Sequence, residues 1–73
     1  MLEFANRLKK LRKSKNLKQT DIAVLLKITP RHYQGMEYGK VNTPMITLIA
    51  LADYFDVSLD YLVGRSDNPE INK

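Results

Sequence analysis

Apolar side chains recur at intervals of three and four residues along this sequence, in short runs separated by residues typical of helix ends. Phe4, Leu8 and Leu11 lie at positions i, i+4 and i+7, which places them on one face of a helix. The segment 45–55 has the broadest apolar face, so we expect its helix to be the most buried. This periodicity predicts an all-α fold without strands.

Start and stop signals divide the chain into five predicted helices. Thr-Pro pairs at 29–30 and 43–44 favour helix starts, because the Thr hydroxyl can cap the helix and Pro at its first position loses no needed hydrogen bond. Ser58 is a third cap, and Asn16 and Gly39 favour helix ends. The predicted helices run from about Leu2 to Lys15, Gln19 to Leu26, Pro30 to Tyr38, Pro44 to Phe55, and Leu59 to Val63.

A chain of 73 residues must be stabilised here without covalent or metal cross-links. It has no Cys and one His, which excludes disulfides and leaves too few ligands for a structural zinc site. No apolar run approaches the roughly 20 residues of a transmembrane helix, and the N-terminus lacks the apolar region of a signal peptide. We expect one cytoplasmic domain over residues 1–64, without cofactor or metal, and a flexible polar tail over 65–73.

Charge is distributed unevenly along the chain. Residues 1–18 carry seven Lys and Arg against one Glu, whereas residues 43–73 carry two basic residues against five acidic ones. Such polarity favours one face for a polyanion and another face for a different role. A solvated basic helix would give the same distribution, so charge alone leaves both interpretations open.

The segment 18–38 contains the arrangement that points to function. Two short predicted helices are joined by the tight link 27–29, and the second helix has polar residues in its first turn and apolar residues one turn later. This layout is typical of a helix-turn-helix. In that motif the first helix crosses the DNA backbone and the N-terminal residues of the second contact base edges in the major groove.

Three blocks of the sequence resemble the phage-repressor-like (Cro/repressor, or xenobiotic-response-element) helix-turn-helix family. They are LRKSKNLKQTDIA at 11–23, MEYGK at 36–40 and LADYFDVSLDYLVG at 51–64, in the family's order and spacing. The resemblance covers roughly residues 4–64. It implies a compact five-helix, lambda-repressor-like domain that binds double-stranded operator DNA as a homodimer, with the helix over about 30–38 in the major groove.

The resemblance also implies which residues contact DNA. Gln19 matches the first residue of the family's second helix, which holds a phosphate; otherwise it is an exposed polar residue. Arg31 falls on the outward side of the recognition helix, where it can bind guanine O6 and N7 with two hydrogen bonds; the alternative is that it only neutralises a phosphate. His32 is either a base reader or a solvated surface residue, and Gln34 contacts a base or a phosphate. The full predicted set is Lys18, Gln19, Thr29, Arg31, His32, Gln34, Lys40 and Asn42.

Four further positions carry structural expectations. Arg12 and Glu37 match a semi-buried ion pair of the family that braces the first helix against the end of the third; the alternative is two independent surface charges. Lys27 stands where the family usually has Gly, so either the turn differs or a left-handed Lys is strained by about 1–2 kcal/mol. Gly35 costs its helix about 1 kcal/mol, and close approach of the backbone to a ligand would explain it.

A homodimer is predicted because one short helix in one groove segment buries only about 600–1,000 Å². Two-fold pairing would set two recognition helices about 34 Å apart, one turn of DNA. We expect the last helix to form much of the dimer surface, through Leu59, Tyr61, Leu62 and Val63.

The predicted function is transcriptional regulation, with repression as the default because no further segment is present to contact polymerase. The alternative is an antitoxin or protein-binding adaptor on the same fold, with a partner protein on the surface opposite the DNA. An enzyme is not expected, because the sequence shows no nucleophile–base pair, metal-ligand cluster or Gly-rich phosphate loop.

Overall fold

Five α-helices form the fold of the computed structural model, which describes residues 2–70 and thus not the last three residues of the predicted tail. The described residues contain no strand, so the all-α prediction is confirmed. None of the helices in residues 2–70 combines the length and the apolar character that a membrane span requires. The helices are α1 (Leu2–Ser14), α2 (Gln19–Leu26), α3 (Pro30–Glu37), α4 (Met45–Phe55) and α5 (Leu59–Leu62).

Side-chain caps begin two of the helices, as predicted. At α3, the backbone N–H of His32 donates to the Thr29 hydroxyl oxygen at 3.1 Å. At α5, the backbone N–H of Tyr61 donates to the Ser58 hydroxyl oxygen at 3.0 Å. Each cap satisfies one of the N–H groups that a helix N-terminus leaves without an internal partner.

The start of α4 differs from the prediction by one residue. Pro44 has extended backbone angles and is the N-cap, so the first helical residue is Met45. The Pro44 carbonyl oxygen accepts hydrogen bonds from the backbone N–H groups of Thr47 and Leu48, at 3.0 and 3.1 Å. Thr43 therefore does not cap α4, and its buried hydroxyl has no hydrogen-bond partner within residues 2–70.

Left-handed residues end three of the helical segments. Asn16 adopts a φ of 57° after α1, in agreement with the sequence-based expectation. Lys27 adopts a φ of 59° and a ψ of 41° at the end of α2, so the turn geometry is kept and the strain of about 1–2 kcal/mol is accepted. Asp56 ends α4 in the same conformation, where the sequence predicted only a turn.

The core receives side chains from all five helices. Leu8 of α1, Tyr33 of α3, Leu51 of α4 and Leu62 of α5 have no exposed surface, and Ile22 of α2 is almost as completely buried. Helix α3 packs against both α1 and α2, while α5 packs against α1 and α4. Thus α2 and α3 are held together at one side of α1, and α3 is fixed by its inner face.

The segment after α5, predicted as a flexible tail, contacts the domain. The guanidinium Nη1 of Arg7 donates a hydrogen bond to the Ser66 carbonyl oxygen at 2.5 Å, and Nη2 contacts the Asp67 carboxylate at 2.8 Å. The Ser58 backbone N–H donates to the Pro69 carbonyl oxygen at 2.9 Å. These contacts join the segment to α1 and to the start of α5, while its mobility stays a prediction.

Candidate nucleic-acid interface

Helices α2 and α3 form a helix-turn-helix, joined by the predicted link of residues 27–29. The helical period turns Tyr33 and Met36 into the core, where they are 0% and 1% exposed. The same period leaves Arg31, His32 and Gln34 exposed on the outer face of α3. A buried inner face thus anchors α3 in the core, while Arg31, His32 and Gln34 lie on its outer face.

A shallow surface groove runs along the outer face of α3 and the following loop. Five of the eight residues predicted to contact DNA line it, and two of these five, Arg31 and Lys40, are cationic. The hydroxyl oxygen of Thr29 is engaged in capping, but its O–H remains able to donate. The lining consists of Thr29, Arg31, His32, Gln34, Gly35, Tyr38, Lys40 and Val41.

The remaining three predicted residues lie outside that groove. Asn42 is exposed in the loop between α3 and α4, and Lys18 and Gln19 lie at the N-terminus of α2. The Lys18 side chain makes no capping hydrogen bond; instead its backbone N–H donates to the Asp21 carboxylate at 2.8 Å. The Lys18 ammonium is therefore exposed beside a helix N-terminus, an electrostatic setting suited to a phosphate.

Arg12 and Glu37, the pair predicted from the resemblance, join α1 to the C-terminal end of α3. Arg12 Nε lies 2.6 Å from Glu37 Oε2, and Nη2 lies 3.2 Å from Oε1, a two-point contact. Their side chains are 11% and 1% exposed. Arg12 Nη1 also donates to the Leu17 carbonyl oxygen at 2.8 Å, which ties the α1–α2 connection to the same cation.

Gln19 belongs to this buried network, which the sequence reasoning missed. Its amide Nε2 donates to Glu37 Oε1 at 3.2 Å. The two residues are 18 positions apart on different helices, and no local spacing signals such a contact. Gln19, the residue predicted to hold a phosphate, and the Arg12–Glu37 ion pair therefore form one hydrogen-bonded group.

The electrostatics of the network keep Glu37 ionised. Burial acts to raise the pKa of Glu37, but the hydrogen bond from Arg12, followed by the smaller effects of the nearby Tyr33 hydroxyl and the Gln19 amide, outweighs it, and the pKa lies below its ordinary value. The hydrogen bond to Glu37 also raises the pKa of Arg12. Burial raises the pKa of Tyr33, whose hydroxyl lies near the Glu37 carboxylate without a hydrogen bond of good geometry.

Gly35 has an internal explanation. A Cβ atom at this position would lie 3.1 Å from Cγ1 of Val41, closer than ordinary van der Waals contact. The close approach is thus between α3 and the loop that follows it, within the domain. The approach to a ligand that the sequence suggested is not required to account for this glycine.

The residues predicted for a dimer surface differ in availability. Leu62 has no exposed surface because it packs in the core of its own protomer, so the prediction is corrected at this position. The Arg7 guanidinium lies over the Tyr61 ring, with Arg7 Cζ 4.3 Å from the ring centroid. Leu59 and Val63 are partly buried. More exposed apolar side chains lie on other helices: on α4, Ile46 is 77% and Ile49 is 46% exposed, and on α2, Val24 is 77% exposed.

Comparison with known proteins agrees with this geometry. A family model described as helix-turn-helix matches residues 8–62. The chain belongs to this helix-turn-helix family. The match includes α2, α3 and the whole of α4 and α5, and it confirms the resemblance seen in the sequence.

Two curated relatives of this helix-turn-helix chain come from Bacillus subtilis (strain 168). The uncharacterized HTH-type transcriptional regulator YobD is 34% identical over 92% of this chain and 60% of its own length. The HTH-type transcriptional regulator AnsR is 42% identical over 82% of this chain and 52% of its own length. The chain thus spans at most about 60% of the length of these relatives, which are named as regulators and not as enzymes.

A solved structure shares the fold. The restriction-modification controller protein C.AhdI from Aeromonas hydrophila superposes with a TM-score of 0.73 at 30% sequence identity. The match covers 84% of this chain and 92% of the controller protein. The fold of this chain is therefore shared by a solved controller protein.

Proposed function

We propose that this chain is a sequence-specific transcriptional repressor that binds an inverted-repeat operator as a homodimer, with α3 in the major groove. The observation that carries the proposal is the outer face of α3, where Arg31, His32 and Gln34 are exposed while Tyr33 and Met36 anchor the opposite face in the core. A helix presented in this way can enter a groove without rearranging the domain.

The contacts divide into two kinds. Arg31 can donate two hydrogen bonds to guanine O6 and N7, a contact that contributes about 1–3 kcal/mol of discrimination. Lys18 and Gln19 at the start of α2, with Lys40 and Asn42 after α3, flank this helix and suit phosphates on either side. The first kind supplies sequence preference, and the second kind supplies affinity and register.

Helices α4 and α5 suit the side away from DNA. They contain Asp53 and Asp60, and neither helix has a Lys or Arg. A groove between them is lined by Ile49, Ala52 and Leu59, with the two Asp residues at the same surface. We propose that the second copy of the chain binds this face. The dimer surface would then include Leu59, as the sequence predicts, together with the exposed Ile49 in the same groove.

Selection from random duplex DNA tests the proposal. The protein is titrated into a random library at two salt concentrations, and the bound fraction is sequenced. We expect an inverted repeat with half-sites about one helical turn apart. Arg31→Ala should relax one base position per half-site, whereas Arg65→Ala, an exposed residue outside the groove with the same charge change, should keep the motif.

Two results would count against this function. Salt-sensitive binding without an enriched motif would mean that the basic surface acts only on the phosphate backbone. A monomer by sedimentation at high micromolar concentration, with and without DNA, would remove the homodimer.

A second function, antitoxin or protein-binding adaptor, is favoured by one observation. Val24 on α2 is 77% exposed and does not line the groove along α3. A partner protein would bury this side chain. Co-purification of a second chain with the unaltered protein, lost in Val24→Asp, would support this function.

A further inference from the structure

We propose that Glu37 positions the Gln19 side chain for its phosphate contact, in addition to pairing with Arg12. This inference rests on the proposed function, because it concerns how that DNA contact is prepared. It follows from the juxtaposition of three polar side chains from α1, α2 and α3 in one partly buried group.

The geometry restricts the Gln19 amide before DNA arrives. Nε2 carries two hydrogens, and one of them is directed to Glu37 Oε1 over 3.2 Å. The second hydrogen is left for an acceptor such as a phosphate oxygen. A free Gln side chain would lose rotamer freedom on binding, and this loss of entropy would weaken the affinity for DNA. Anchoring by Glu37 moves that loss from binding to folding.

Arg12 makes this arrangement compatible with a polyanion. An unpaired carboxylate beside the start of α2 would repel an approaching phosphate. The two-point contact of Arg12, with Nε at 2.6 Å and Nη2 at 3.2 Å, neutralises the carboxylate while leaving its Oε1 able to accept from Gln19. Arg12 therefore supports the same contact indirectly.

The two glutamines of the chain provide an internal comparison. Gln19 is partly buried and hydrogen-bonded through its side chain, whereas Gln34 is exposed on α3 and its side chain makes no hydrogen bond within residues 2–70. In the free protein, ¹⁵N relaxation of the side-chain amides should show Gln19 to be clearly more rigid than Gln34. Equal mobility of the two amides would overturn the proposal.

A mutant cycle tests the functional consequence. Operator affinity is measured for the unaltered protein, Gln19→Met, the apolar pair Arg12→Met/Glu37→Leu, and all three changes together, at a temperature where circular dichroism shows each to be folded. The apolar pair leaves the net charge unchanged, so counterion release is matched. In the otherwise unaltered protein, Gln19→Met should weaken operator binding about tenfold, the effect of one charge-assisted hydrogen bond. In the apolar-pair background, where Glu37 no longer positions Gln19, the same change should weaken binding less than about threefold.

The cycle also separates this inference from the proposed function. If Gln19→Met weakens binding by the same factor in both backgrounds, Gln19 acts independently and the positioning role is refuted. If it weakens binding in neither background while the inverted repeat is still selected, the positioning role falls and the operator-binding function stands. If the unaltered protein selects no operator, both fall. If the apolar pair does not fold, the relaxation comparison of Gln19 with Gln34 decides the matter.

Discussion

Replacing Arg12 with Met measures how much the domain depends on its buried ion pair. The Glu37 side chain is 1% exposed, so loss of the cation leaves an ionised carboxylate in the core with Gln19 as its remaining hydrogen-bond donor. Removing one partner of such a pair costs about 3–5 kcal/mol. A domain of this size is stable by about 4–11 kcal/mol, at about 0.05–0.15 kcal/mol per residue.

The change should therefore be large in a thermal melt. Domains of this length lose about 4–8 °C of Tm per kcal/mol, so Arg12→Met should lower Tm by more than about 12 °C at pH 7. The matched variant Arg12→Met/Glu37→Leu removes both charges and should recover most of the loss. A residual loss of about 1 kcal/mol is expected, because the Leu17 carbonyl oxygen loses its bond from Arg12.

The pH dependence supplies an independent check with a defined sign. In the unaltered protein the pKa of Glu37 is lowered, so the stability it contributes is present above its ordinary pKa of about 4.3 and is lost as pH falls through the lower folded value. In Arg12→Met, burial acts without the cation and raises the pKa of Glu37. The stability difference between the two proteins should therefore shrink as pH falls from 7 towards 4.

Two outcomes would refute this reasoning. A loss below about 1 kcal/mol for Arg12→Met at pH 7 would mean that the pair behaves as an exposed surface pair. A double variant as unstable as the single one would mean that the damage comes from packing of the Arg12 stem and not from the uncompensated charge.

Three smaller changes test other features of the fold. Lys27→Gly should raise the free energy of unfolding by about 1 kcal/mol, because Gly adopts the left-handed conformation at no steric cost. Lys27→Ala, the control, should give no gain. If Lys27→Gly lowered the free energy of unfolding, the left-handed Lys27 would not be strained. Thr43→Val should be neutral or should raise the free energy of unfolding by about 1 kcal/mol in chemical denaturation, because the buried Thr43 hydroxyl has no hydrogen-bond partner within residues 2–70. A decrease of more than about 1 kcal/mol would show that the hydroxyl does form a hydrogen bond. Arg7→Met should speed hydrogen exchange at the Ser58 amide, which donates to the Pro69 carbonyl oxygen, and unchanged exchange would mean that the C-terminal segment is held without Arg7.

Local signals were sufficient for the helices and for the outer face of α3. Caps such as Thr29 and Ser58 act within three residues of themselves, so the sequence predicts starts that the structure shares. The helical period likewise places Arg31 and Gln34 outward once Tyr33 is assigned to the core. Thr43 misled because it carries the same local signal, while the chain begins α4 one residue later.

Contacts between distant segments settled the features that sequence reasoning missed or misplaced. Periodicity assigns Ile49 and Leu62 equally to apolar faces, yet the packing of α4 and α5 leaves Ile49 46% exposed and Leu62 fully buried. The bond between Gln19 and Glu37 and the contact of Arg7 with the segment after α5 join residues 18 and about 60 positions apart. Such pairings follow from how the helices pack in three dimensions, because the free energy that selects them belongs to the shared core and not to any one segment.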